Sequence, residues 1–165
     1  MLLTSKELFE KIKEFEGLRL EAYEDAGGVW TIGYGHTKGV RQYDKISEWL
    51  AEEFLRQDLE ECQRQVLQLN VVKYQGQLDA LVDFVFNLGI GNLRKSTLLR
   101  GIQNGFGRET IGKEFRKWTM CNGQRLPGLR KRRNWEVDRF YDYSYTLEDV
   151  KWMIENKKQI KRIEL

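Results

Sequence analysis

EGLRLEAYEDAGGVWTIGYGHT, residues 16–37, changes character within a few positions. It begins where a helical pattern stops. Leu8, Phe9, Ile12 and Phe15 recur at helical spacing within Thr4–Phe15, Thr4 or Ser5 can cap that helix, and Gly17 can end it. Glu16 therefore sits at or just past a helix C-terminus. From Leu18 to Val40, five glycines alternate with Tyr23, Val29, Trp30, Ile32 and Tyr34. Aromatic and β-branched residues between glycines make short strands and tight turns, so a small antiparallel sheet is expected. The same stretch holds Asp25, Thr31 and His36, the sole histidine of the 165 residues.

The remaining pattern is helical. Ser47 can cap a helix reaching Leu69, with Trp49, Leu50, Phe54, Leu55, Leu59, Cys62, Val66 and Leu69 as its apolar face. That length can bridge two lobes. Gln77–Gly89 is apolar almost all round, the pattern of a central buried helix closed by a glycine. Shorter helices are expected near Ser96–Asn104, Arg108–Trp118 and Leu129–Tyr143, with Pro127 at the start of the last. Beyond Tyr143, Thr146 and Asp149 form a capping box. Val150, Met153, Ile154, Ile160 and Ile163 suggest a further basic amphipathic helix. The expected fold class is α+β, mostly helical and two-lobed. A small sheet lies in an N-terminal lobe (residues 1–60), a long helix connects, and a helical C-terminal lobe (61–143) precedes a tail (144–165).

Composition narrows the function classes. At 41% hydrophobic and 32% charged residues, the chain can build one ordinary core without disulfide staples. A net charge of +3 does not select nucleic acid, and the run Arg130-Lys131-Arg132-Arg133 on a helix is more often a solvated face. Cys62 and Cys121 match no metal-ligand spacing, and with one histidine neither a zinc site nor another metal is expected. Two free, buried thiols are expected instead. No apolar run reaches the ~7–15 residues of a signal-peptide core or the ~20 of a membrane span. Cytoplasmic synthesis without a signal peptide is thus expected, with no stable membrane insertion. The tail is expected to pack on its own domain rather than lie on lipid.

Glu16 and Asp25 lie on different elements, so they can face one another across a cleft. Glycoside hydrolysis needs such a pair, one carboxyl protonating the leaving oxygen and the other acting on the far face of the sugar. Acidic pairs are common, strand threonines usually just suit the pleat, and a lone histidine near a turn is more often structural than catalytic.

The ordered combination is more specific. Glu16-Gly17-Leu18-Arg19, Tyr23, Asp25, Gly28, Thr31-Ile32-Gly33 and Gly35-His36 resemble the phage-type lysozymes, the endolysins of glycoside hydrolase family 24. That family's signature is a Glu, an Asp nine positions on and a Thr six further, met here by Glu16, Asp25 and Thr31. Asp79-Ala80-Leu81 with Phe86-Asn87-Leu88-Gly89, then Ser96-Thr97-Leu98-Leu99, then Leu126-Pro127-Gly128-Leu129 with Arg132-Arg133 and Glu136 extend the likeness over residues 5–143.

The resemblance implies a muramidase acting on peptidoglycan glycan strands, causing bacterial lysis, with no cofactor. It implies Glu16 as general acid, Asp25 as the carboxylate that orients the attacking water and Thr31 as its holder. That arrangement implies inversion, with carboxyls about 6.5–9.5 Å apart. It further implies a His36–Asp58 ion pair supporting the site and Asn87 as a substrate contact. Action as a monomer, after release through a holin-type membrane lesion, is expected. The family's arginine beside the acid aligns with Leu129, which leaves Arg130, Arg132 and Arg133 as candidates. A lytic transglycosylase would need one acid/base and no water-holding pair, and a binding-only descendant would need none of the three.

Overall fold

The computed structural model describes residues 1–25, 27–121 and 123–163, with side chains for all of these except 121 and 158–163. The expectations for the side chains of Cys121, Ile160 and Ile163 lie outside the described residues. The chain runs α1 (Lys6–Glu16), β1 (Arg19–Glu24), β2 (Trp30–Gly33), α2 (Glu48–Leu67), α3 (Gln75–Leu88), α4 (Ile90–Lys95), α5 (Thr97–Gln103), α6 (Arg108–Arg116), β3 (Met120–Cys121), β4 (Gln124–Arg125), α7 (Pro127–Phe140) and α8 (Leu147–Ile163). The fold is mostly helical α+β.

α1 starts on Ser5, whose Oγ accepts the Leu8 N–H at 3.0 Å, and stops at Gly17, whose N–H reaches the Lys13 carbonyl. It buries Leu8, Phe9 and Ile12 and leaves Glu16 as its last residue. β1 and β2 pair antiparallel, Tyr23 opposite Thr31 and Glu24 opposite Trp30. The segment after them returns to the free edge of β1, where Ala22 N–H meets the Asp44 carbonyl and Ile46 N–H meets that of Leu20, both at 2.9 Å. Gly33 sits against α2 so closely that an added Cβ would stand 3.3 Å from the Ala51 Cβ. Its φ of +67° is also one that side chains disfavour. Sheet and long helix are therefore pressed together with no room between.

α2 is capped by Ser47 and buries Ala51, Leu55, Leu59, Gln63 and Val66. Trp49 does not join that face and is 72% exposed. It precedes Ala51 by two residues, about 200° around a helix. α3 is the centre, with Leu78, Ala80, Leu81, Val82 and Phe84 fully buried between α2 and α7. Pro127 opens α7 at its first turn, where a missing N–H costs nothing. Two features were not expected from the sequence. α4 is a six-residue helix, too short for a legible period, and β3–β4 is a hairpin of two-residue strands within the otherwise helical part.

α3 also carries two fully buried acids, and antiparallel α7 answers each with an arginine. Asp79 Oδ2 accepts from Arg139 Nη2 at 2.7 Å, and Asp83 takes both Nε and Nη2 of Arg132 at 2.9 Å. Buried carboxylates are tolerable only when paired in this way. Burial raises the Asp79 pKa, while hydrogen bonds from Ser5 and Arg139 oppose the rise. Ser5 N–H and Oγ–H both donate to Asp79, so the first pair fixes the start of α1. The second pair fixes its end, as described below.

α8 packs on the core. Leu147 is 8% exposed and its N–H bonds the Lys73 carbonyl, while Gln75 N–H bonds that of Tyr145. Thr146 and Asp149 cap each other reciprocally. Val150 and Ile154 rest on the core, but Met153 is exposed beside Trp152, so the packed face is narrower than the sequence suggests. No helix among the described residues is long and apolar enough to cross a membrane. Leu147→Ala is expected to cost about 2 kcal/mol in urea unfolding and Trp152→Ala under about 0.5 kcal/mol. Equal small costs would mean that α8 does not contribute to the core.

Candidate functional site

A cleft of about 530 Å³ opens between the end of α1, the β1–β2 hairpin, α2 and the end of α3. Glu16, Asp25, Thr31, Asp58 and Asn87 all line it. His36 lies behind it.

Glu16 is held from below. Its Oε1 accepts from Arg132 Nη1 at 2.5 Å, and Arg132 is in turn clamped on Asp83. Among the three candidate arginines, Arg132 is thus the one that reaches Glu16. Gly35 has φ +96°, and a Cβ there would lie 3.8 Å from Glu16 Oε2 and 3.9 Å from Phe86. Those are ordinary contact distances, so it is the backbone conformation rather than the space that calls for glycine here.

Asp25 is held by its own turn. Its Oδ1 accepts the Gly27 and Val29 N–H groups at 2.8 and 2.9 Å, an Asx-type turn that closes the hairpin. Oδ2 has no partner among the described residues. Thr31 is buried in β2 and donates its hydroxyl hydrogen to the Val29 carbonyl at 3.0 Å. Its remaining lone pairs can accept a hydrogen from a water in the cleft.

His36 Nδ1 lies 2.8 Å from Asp58 Oδ2, and Nε2 lies 3.0 Å from the Lys38 carbonyl oxygen. A carbonyl only accepts, so a hydrogen bond there takes its hydrogen from Nε2, with Nδ1 turned to the Asp58 carboxyl. Burial raises the Asp58 pKa, and the hydrogen bond from His36 opposes it. The ring stacks on Phe54 at 4.3 Å, which locks the loop after β2 onto α2.

Asn87 Oδ1 accepts from Arg133 Nη2 at 3.0 Å, which turns the amide so that its N–H donors are left for other partners. Arg133 is fully buried, bonded to Glu136 at 2.6 Å and placed over the Phe84 ring. Burial raises Glu136 well above the ordinary carboxylate range, with Arg133 pulling the other way and Asp83 adding to the rise. Burial works against the charge on Arg133 as well, with Glu136 and then Asp83 opposing that effect.

Sequence reasoning left Arg132 as one of three and missed Asp83 altogether. A signal for Asp83 existed, since a lone acid in the apolar run Leu81-Val82-Asp83-Phe84-Val85 demands a buried cationic partner. Among the described residues no cluster of histidine, cysteine or acidic side chains is arranged to hold a metal.

Residues 13–136 match the phage lysozyme family, and the chain belongs to it. The endolysin of Acyrthosiphon pisum secondary endosymbiont phage 1 is 42% identical over 130 residues, covering 76% of this chain and 88% of that one. Among solved structures, the muramidase domain of SpmX from Asticaccaulis excentricus superposes with a TM-score of 0.73 at 37% identity, covering 83% of this chain and 96% of that one. The endolysin from Escherichia coli O157:H7 phage FAHEc1 gives 0.72 at 34%, covering 88% and 96%. The protein is therefore a lysozyme, a hydrolase lytic for peptidoglycan.

Cys62, half-buried on α2, also lines the cleft. Burial, then the carboxylates of Asp58, Glu61 and Asp83, push its thiol up to about 12. At pH 8 the native thiol is expected to react with iodoacetamide about a thousandfold more slowly than an ordinary free cysteine, and at the ordinary rate in urea. Peptide mapping of Cys62 reads both rates, and equal rates would contradict the burial of the thiol.

Proposed function

We propose that the chain hydrolyses the β-1,4 bond between N-acetylmuramic acid and N-acetylglucosamine with inversion at the anomeric carbon. The observation that carries this reading is the meeting of three groups in one cleft: Glu16 with Oε2 and Asp25 with Oδ2 both unpartnered among the described residues, and Thr31 with lone pairs to offer.

The glycan strand lies along the cleft. Glu16 gives a proton to the glycosidic oxygen as the C1–O bond breaks, so the leaving sugar departs as a neutral alcohol. Asp25 and Thr31 hold a water on the opposite face. Thr31 accepts one of its hydrogens, Asp25 takes the other as the water oxygen bonds C1, and the carboxylate charge stabilises the oxocarbenium-like transition state. The water enters opposite the leaving group, so the β-linkage yields an α-configured reducing end. Asn87, its amide turned by Arg133, donates to the sugar. His36 and Asp58 take no part in the chemistry and hold the loop behind the hairpin.

Glu16→Gln is expected to lower turnover of purified peptidoglycan at least ~10³-fold while keeping the fold, and Thr31→Ala about tenfold or more. Proton NMR of fresh products reads the anomer, and mass spectrometry reads the ends. Hydrated muramic acid appearing first in the α form supports the reading. A β product, anhydro-muramic ends or an active Glu16→Gln would contradict it.

A further inference from the structure

Arg132 has three neighbours of unlike standing. Asp83, with no exposed side-chain area, takes two of its N–H groups in a bidentate clamp. Glu16, a quarter exposed and at the mouth of the cleft, takes one. The Phe15 ring lies 5.1 Å below the guanidinium. A buried guanidinium must have a counter-ion. If Asp83 were absent, Glu16 would have to serve as one, and an acid conscripted in that way is a poor proton donor.

We propose that Asp83 is a positioning residue for the reaction: it is the resident counter-ion of Arg132, and it thereby aims the third N–H of Arg132 at Glu16 Oε1 while sparing the Glu16 carboxyl from balancing a buried charge. This rests on the reading of Glu16 as the proton donor. Three observations support it. The clamp is bidentate and planar in kind, which fixes the direction of Nη1. Burial works against the charge on Arg132, but Asp83 first and Glu16 second more than offset it, so its pKa stands raised. The neighbouring cation Arg133 has its own hydrogen-bonded acid in Glu136, although Asp83 also favours its charge, so Arg132 is the cation that Asp83 binds directly. Among the described residues, the other titratable groups lining the cleft with Glu16 are Tyr23, Asp25, Lys38, Asp58, Glu61 and Cys62, and Glu136 on α7 interacts with both Asp83 and Arg132. Among the described residues, Arg132 forms salt bridges only with Glu16 and Asp83.

The test measures kcat and KM against pH on soluble, uncross-linked glycan strands. Asp83→Asn leaves Glu16 as the one acid hydrogen-bonded to Arg132 among the described residues. It is expected to lower kcat at pH 7 about tenfold, with KM within about twofold, and to move the alkaline limb of the kcat profile down by about one pH unit. The double variant Asp83→Asn/Arg132→Met removes the cation as well. Its kcat stays low, since Glu16 loses its tether, but its alkaline limb returns to the wild-type position. Losing both buried charges together also spares the fold the penalty of an orphaned cation.

A limb that stays put in Asp83→Asn, with activity falling only in step with the folded fraction, would overturn the proposal. So would a limb displaced equally in the single and double variants. Glu16→Gln, measured alongside, separates this from the reading beneath it. An inactive Glu16→Gln with an unmoved Asp83→Asn limb defeats the role of Asp83 alone, whereas an active Glu16→Gln defeats the assignment of Glu16.

Discussion

The clamp of Arg132 on Asp83 decides where the end of α1 can lie. Both partners are buried, both need the other, and neither has water to fall back on. α3 and α7 are thereby fixed in rotation as well as in spacing, because a bidentate contact has a direction that an apolar contact lacks. The same two helices carry the Asp79–Arg139 pair nearer the start of α3. Helix α1 lies across them, with Ser5 tied to the first pair and Glu16 to the second. A short helix that buries only Leu8, Phe9 and Ile12 is held at both ends by the charges of its neighbours.

The other wall of the cleft is built differently. Asp25 and Thr31 owe their places to local hydrogen bonds inside one hairpin, through the Gly27 and Val29 N–H groups and the Val29 carbonyl. The hairpin is set by two contacts with α2: the close approach of Gly33 to Ala51, and His36 bonded to Asp58 and stacked on Phe54. One wall is thus fixed by long-range buried charge and the other by local turn chemistry.

That difference explains what the sequence could disclose. The hairpin, the caps at Ser5, Ser47 and Thr146, the helix start at Ser96 and the start of α7 at Pro127 are local signals, and the sequence displays them. Spacing and the resemblance it carries singled out Glu16, Asp25 and Thr31, and the structure brings the three into one cleft. Arg132 and Asp83 stand 49 positions apart, and nothing local says which arginine of Arg130, Arg132 and Arg133 will turn inward. Trp49 shows the converse, a large apolar residue that counted toward a helix face it does not join. α4 and the β3–β4 hairpin were missed because six residues and two-residue strands are shorter than any period that could reveal them.

The central claim is that Asp83 and Arg132 act as one unit that organises the cleft. A double-mutant cycle in urea unfolding, with Asp83→Asn, Arg132→Met and both together, tests it most directly. The two single changes each leave a buried partner unsatisfied and the double change does not, so a coupling energy above about 2 kcal/mol is expected. Additive losses within about 0.5 kcal/mol would contradict the account, because the two residues would then contribute independently and the end of α1 would depend on something else.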